Sequence, residues 1–293
     1  MGDGWRARDA TNVVDEFEYA YHKGVTIFEI VDDNFIGPGN MGKARARAIA
    51  AEFRRRRLPI RFHASCRVND VDETTMRLLQ ESGLMSVSLG VESGVQRILD
   101  SFNKHTTVAQ NCAAVRLLHA LGIGVSVYII FFDPYMTLDE AHENLAFLRY
   151  LRTFDRVRFE RVIFRKLIPV SGTDLFVRLQ KEGLLRGNPF DGHDFVFRDP
   201  KVSLLSDFME TLELRAEHAF SNDAFKNVFG LYQWFKTDFA FSVAERAIRL
   251  LQSVRCADEG TWRQLEHLLG EELHRAILPL ARQNVRTHEP ATS

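Results

Sequence analysis

Met85-Ser86-Val87-Ser88-Leu89-Gly90-Val91-Glu92-Ser93-Gly94 divides by parity into two unlike faces. In an extended chain Met85, Val87, Leu89 and Val91 point to one side, and Ser86, Ser88, Gly90 and Glu92 to the other. Upstream, Phe62, Ala64 and Cys66 oppose Arg61, His63, Ser65 and Arg67, and Phe28 and Ile30 oppose Glu29 and Asp33. Downstream, Val125, Val127, Ile129 and Phe131 oppose Ser126 and Tyr128, while Val157 and Phe159 oppose Arg158 and Glu160. Between these runs the apolar spacing becomes three and four residues, predicting helices over Asn12–Lys23, Lys43–Arg57, Glu73–Gly83, Thr107–Leu121 and Leu138–Arg152. Gly24, Gly83 and Gly122 stand where helix C-caps belong. The strands read as Val25–Val31, Ile60–Cys66, Met85–Val91, Gly124–Phe131 and Arg156–Phe164, and their alternation with helices predicts parallel β/α units.

Helices covering such a sheet bury its apolar parity, so the polar parity faces inward. A filled, closed barrel wants Val, Ile and Leu there. Carboxylates, arginines, serines, a tyrosine and a histidine are costly to bury unless paired or facing a ligand. The expected architecture is therefore an open, partly splayed (β/α) barrel whose lumen is a binding site. The bland alternative is a flat parallel sheet with one wet face, which parallel sheets seldom have. After Pro169 the texture turns to Val170-Ser171-Gly172-Thr173, Gly187-Asn188-Pro189 and Asp191-Gly192, and helical periodicity then runs from Ser203 to Asn284. The expected division is a barrel-like core over residues 1–185 and a helical region over 186–293. The apolar stretch from Phe220 to Phe241 reads as core rather than as a cofactor box.

Of the 293 residues 45% are hydrophobic and 26% charged, which excludes a disordered or fibrous chain. Lys plus Arg number 38 against 39 Asp plus Glu, a net charge of −1, so bulk charge does not draw the molecule to nucleic acid. Arg54 to Arg57 close a helix, where cations suit the dipole and solvent. No run of 18 apolar residues, no signal peptide and no myristoylation site is present, which points to a soluble cytoplasmic protein without a membrane partner. Three widely spaced cysteines, Cys66, Cys112 and Cys256, fit a reducing compartment and exclude a disulfide framework.

The run Gly90-Val91-Glu92-Ser93-Gly94 is followed by Ile98-Leu99 and by Lys104 before Thr106-Thr107. Val14-Asp15-Glu16, Asp32-Asp33-Asn34-Phe35, Ala120-Leu121-Gly122-Ile123, Asp133-Pro134-Tyr135-Met136-Thr137-Leu138-Asp139-Glu140 and Pro169-Val170-Ser171-Gly172-Thr173-Asp174-Leu175 complete an ordered set. Over residues 10–185 this set resembles the radical S-adenosylmethionine (radical SAM) superfamily. Phe131-Phe132-Asp133-Pro134 resembles the branch that often carries an upstream cobalamin-binding domain.

The resemblance implies an α/β fold, a partial, open (β/α) barrel of the radical SAM type followed here by the helical C-terminal region. In the family a reduced 4Fe-4S cluster cleaves SAM, and the 5′-deoxyadenosyl radical takes a hydrogen from the substrate. Carried over by position, Glu92, Ser126 and Tyr128 meet the methionyl or ribose groups, and Asp32, Asp33, Asn34 and Phe35 form the loop near the SAM amino group. Arg67 meets a carboxylate, or instead pairs internally with Glu29 or Glu92. The implied partners are a small-molecule or peptide substrate and a reductant such as flavodoxin or ferredoxin, with cobalamin from an upstream domain and no nucleic acid.

One departure is serious. The family holds its cluster with CxxxCxxC after the first barrel strand, and this chain contains no such motif although three thiolates are required. Cys66 falls on the apolar parity, Cys112 in a helix and Cys256 in the tail. Trp5-Arg6-Ala7-Arg8 resembles the segment that follows the cysteines. The expectation is that the first strand and cluster loop are missing, through a truncated or miscalled start or genuine loss, and that this polypeptide alone does not run radical chemistry.

Three other readings compete. Gly37-Pro38-Gly39-Asn40-Met41-Gly42 matches GxGxxG between a strand and a helix, although Pro38 removes an amide donor and Asp32 and Asp33 repel a pyrophosphate. Glu29, Asp33, Glu92 and Asp133, near strand ends, suit a divalent metal for hydrolysis. The third is a cluster-free scaffold that binds SAM or a protein partner.

Overall fold

A computed structural model describes residues 5–159, 164–220 and 229–286. The chain divides into two compact units, Met1–Ile129 with Phe147–Ile163, and Ile130–Ala146 with Phe164–Ser293.

The first unit is built from β/α repeats: α1 (Ala10–His22), β1 (Ile27–Ile30), α2 (Gly39–Arg56), β2 (Arg61–Arg67), α3 (Glu73–Glu81), β3 (Leu84–Glu92), α4 (Gln96–Ser101), α5 (Val108–Ala120) and β4 (Gly124–Ile129). The end of α6 (Leu138–Arg152) and β5 (Val157–Phe159) complete it. The helices begin where polar caps satisfy their free amides. Asp9 accepts from Asn12 N at 2.9 Å, Asp72 accepts from Thr75 N at 3.0 Å, and Thr107 and Gln110 form a reciprocal capping box. Gly24, Gly83 and Gly122 take left-handed φ after α1, α3 and α5, as their spacing predicts.

The five strands pair in parallel in the order β1-β2-β3-β4-β5, so the sheet follows the sequence and does not close on itself. Phe62, Ala64, Cys66, Val87, Leu89, Val91, Val125, Val127 and Ile129 are buried, the parity expected to lie under the helices. Phe62 and Phe35 from the sheet side meet Phe53 of α2 in this core, with Phe62 5.7 Å from Phe53 and 6.1 Å from Phe35.

Register lays the polar parity out in rows: Glu29, His63 and Ser86, then Ser65, Ser88 and Ser126, then Arg67, Gly90 and Tyr128. Arg158 pairs with Ser126 in register, as its parity predicts, and its guanidinium donates to Asp155 O at 2.6 Å and Val157 O at 3.1 Å, while Phe159, expected on the apolar parity, lines the cavity. Glu160, expected beside it, lies outside the described residues.

The second unit holds the start of α6, α7 (Asp174–Lys181), an antiparallel hairpin of β6 (Leu185–Asn188) and β7 (Gly192–Phe195), and the helices α8 (Pro200–Phe220), α9 (Phe229–Ser253) and α10 (Glu259–Arg286). The turn-rich stretch after Pro169 thus conceals one helix and one hairpin. Phe208, Met209, Leu212, Phe241, Val243, Ile248 and Leu251 are buried among the long helices. The expected apolar core from Phe220 to Phe241 falls largely outside the residues whose side chains are described. Among the described residues no helix is long and apolar enough to cross a membrane.

Candidate functional site

The polar rows of β1 to β4 enclose a cavity of about 600 Å³ whose lining includes Glu29, His63, Ser86, Ser88, Ser126 and Tyr128. His63 is clamped between two hydroxyls, with Nδ1 2.8 Å from Ser86 Oγ and Nε2 2.9 Å from Ser88 Oγ. Desolvation pushes its pKa below the ordinary imidazole value against the pull of Glu29. A neutral ring suits this setting, since one nitrogen then accepts from a serine while the other donates. Strand parity alone places His63 on this face; its clamp needs the β2–β3 register.

At the C-terminal rim, Glu92 stands at φ +68°, and the β3–β4 register shifts between Gly90 and Glu92. Lys104 Nζ lies 2.6 Å from Glu92 Oε1. The carboxylate folds back over Gly90, where a Cβ would lie 3.0 Å from the same oxygen. Oε2 has no hydrogen-bond partner among the described residues, while the side chain is only 13% exposed. Arg67 and Tyr128 occupy the neighbouring register positions on either side of Gly90. Neither Glu29 nor Glu92 pairs with Arg67 among the described residues; Lys104 takes the place expected for Arg67 beside Glu92.

The loop after β1 lies beside a second cavity of about 520 Å³, whose lining includes Trp5, Arg6, Asp32, Asn34, Phe35 and Arg45. Phe28 and Glu29 belong to both linings. Asn34 Nδ2 donates to Asp70 Oδ2 at 2.8 Å, and Phe35 N donates to Ser65 O at 2.9 Å. Phe35 is buried and belongs to the core beneath the loop, while Asp32 and Asp33 are exposed. The residues named from sequence therefore fall into two adjoining groups, Asp32, Asn34 and Phe35 at one cavity and Ser126 and Tyr128 in the other, while Arg67 and Glu92 line neither. Asp33 lines neither cavity.

The glycine pattern at Gly37 to Gly42 has a packing explanation. A Cβ on Gly37 (φ +84°) would lie 2.2 Å from the Trp5 ring, and one on Gly42 would lie 2.4 Å from the Gly37 carbonyl. Helix α2 starts at Gly39 with Pro38 as its N-cap and no side-chain cap. Trp5 thus occupies the space over the loop, and the glycines let the loop and the helix approach one another. The carboxylates proposed for a hydrolytic metal do not converge either, since no three His, Cys, Asp or Glu among the described residues form a metal-holding group. Nor do the cysteines fit an iron–sulfur cluster. Cys66 is buried on the helix-covered face, where desolvation pushes its thiol up to about 12, and Cys256 belongs to the other unit. A cluster needs thiolates.

Residues 1–148 match the Radical SAM superfamily. The chain belongs to that superfamily. Among curated relatives, this radical SAM chain is 31% identical over 157 residues to an uncharacterized methyltransferase of Pyrococcus horikoshii, covering 52% of the chain and 32% of the relative. It is 35% identical over 124 residues to an anaerobic magnesium-protoporphyrin IX monomethyl ester cyclase of Cereibacter sphaeroides, covering 41% and 20%. The matches thus span about a third or less of these relatives. Among solved structures it shares a fold with OxsB, a cobalamin-dependent S-adenosylmethionine radical enzyme, with TM-score 0.77 and 17% identity over 96% of this chain and 52% of that one. TsrM of Kitasatospora setae, a radical S-adenosylmethionine methyltransferase, gives TM-score 0.52 and 21% identity over 65% and 38%. The open parallel sheet is the fold the radical SAM resemblance implied.

Proposed function

We propose that this chain is the SAM-binding core of a radical SAM protein that works with cobalamin, its cluster-ligating cysteines coming from outside the residues present. The five-stranded unit holds SAM in this reading, and the substrate is a small molecule or a peptide. The observation that carries it is Glu92. Its carboxylate is pinned by Lys104 through one oxygen, leaves the other without a hydrogen-bond partner among the described residues, and ends β3 two residues beyond Gly90, whose register neighbours are Arg67 and Tyr128. Lys104 already balances the charge, so Oε2 suits a neutral hydroxyl donor such as a ribose better than a second cation. Ser126 and Tyr128 supply further polar contacts, and Arg67 can take a carboxylate. Bound SAM supplies the reactive sulfonium; the chain's own residues bind and orient it. Methyl transfer and ring formation, the activities named for the relatives, are the reaction classes this reading favours.

Calorimetric titration of SAM tests the reading. The wild-type chain should bind, Glu92→Ala should weaken binding roughly tenfold through loss of a charge-assisted hydrogen bond, and Ser126→Ala should weaken it less. Indifference to SAM combined with binding of a nicotinamide dinucleotide would sink the proposal.

A further inference from the structure

Glu29, His63 and Ser86 form one register row, and Glu92 stands six residues beyond Ser86 on β3, about 20 Å of extended chain. A group held at that row is out of reach of the Glu92 carboxylate. The row therefore presents a chemistry of its own to the 600 Å³ cavity that its three side chains line.

Glu29 is the single carboxylate among the described lining residues, and no Lys or Arg is among them. It makes no hydrogen bond or ion pair among the described residues. Arg61, Arg67 and Arg158, the described cations of the same sheet parity, line neither cavity. The neighbour able to cancel the charge is His63, directly opposite on β2. Its ring is held back from doing so. Ser86 and Ser88 engage both nitrogens, at 2.8 and 2.9 Å, and desolvation keeps its pKa below the ordinary imidazole value. A neutral ring accepts from one serine and donates to the other, so the serine that donates keeps its lone pairs for a further N–H. Phe28, Tyr128 and Phe159 add three aromatic rings to the same lining. Ring faces attract cations, whereas a phosphate or carboxylate would meet repulsion from Glu29 and find no counter-charge.

We propose that the Glu29–His63 end of this cavity is a subsite for a protonated amine on the substrate, with Glu29 as its counter-charge and the aromatic rings around its carbon body. This names a substrate class for the function proposed above, and rests on that reading for placing SAM at the Glu92 rim.

The test is titration of phenethylamine and of its neutral isostere 2-phenylethanol into the full chain, followed by ligand-observed NMR, in wild type and Glu29→Gln. Glu29 is exposed to solvent, so the variant should melt as wild type does. Wild type should prefer the amine roughly tenfold. Glu29→Gln should bring that preference close to unity with the affinity for the alcohol unchanged. No preference in wild type, a preference that survives in Glu29→Gln, or an equal loss for both probes overturns the proposal. A parallel titration of SAM separates the two readings. A Glu29-dependent preference in a chain indifferent to SAM leaves the amine subsite standing and removes SAM from the rim, whereas SAM binding without any amine preference does the reverse.

Discussion

At Gly94 the chain passes so close to α6 that an added Cβ would lie 2.2 Å from Phe147. Gly94→Ala should therefore destabilise the protein by about 1–3 kcal/mol through overpacking, read as a lower denaturant midpoint with unchanged slope. Sequence singled out this glycine as part of a signature, but its cause is a side chain 53 positions away, which no local pattern reveals. Glu92 was legible for a different reason: strand parity aims it at the polar face before any coordinates. Lys104 stood in the same signature with no partner attached, because its ion pair with Glu92 is made only when the chain returns after α4.

Helices α1 and α2 show how an element-level reading becomes incomplete. The periodicity of both was plain, yet α2 begins at Gly39 rather than at Lys43, since packing of Gly42 against Gly37 draws the first turn in. Arg54 to Arg57 were expected to be solvated cations closing a helix. Arg56 is instead a hub whose side chain is 9% exposed, bonded to Asp15 at 2.6 Å, Glu18 at 2.6 Å and Glu52 at 2.8 Å. Arg54 pairs with Glu81 and Arg55 with Glu52, so these cations are matched within the protein. Hydrogen bonds from Arg55 and Arg56 hold the Glu52 carboxyl down from 4.5 to about 2. A carboxylate depressed on folding stabilises fully above its unfolded value and loses that contribution as pH falls through its folded value. Acid titration of stability should accordingly show a decline between about pH 4.5 and 2 that is shallower in Glu52→Gln, followed by melting temperature.

On the scale of the whole molecule the parallel sheet was readable because alternating burial repeats in successive strands, and the α7 and β6–β7 segments were not, being short and rich in turn residues. The site was readable as a face and not as two adjoining cavities, since the loop after β1 is placed by Trp5 from before α1 and by Arg45 from α2. Arg45 Nε donates to Arg8 O at 2.8 Å and Nη1 to Phe35 O at 3.1 Å. Cysteine placement gives a prediction at this scale. Anaerobic treatment with iron and sulfide should leave the purified chain without cluster charge-transfer absorbance, whereas fusion to a preceding strand and CxxxCxxC loop should produce it. A stable chromophore in the unfused chain that disappears in Cys112→Ser or Cys256→Ser would refute that assignment.

Strand β1 has a single hydrogen-bonded neighbour among the described residues, and Ile27 within it and Val31 just after it are 63% and 90% exposed. Main-chain groups along such a margin are a template for any extended polypeptide that drifts near. Concentrated stocks of this chain should consequently zip into oligomers or cross-β fibres, and the remedy is a cationic gatekeeper at position 27 or 31 rather than a change in the interior.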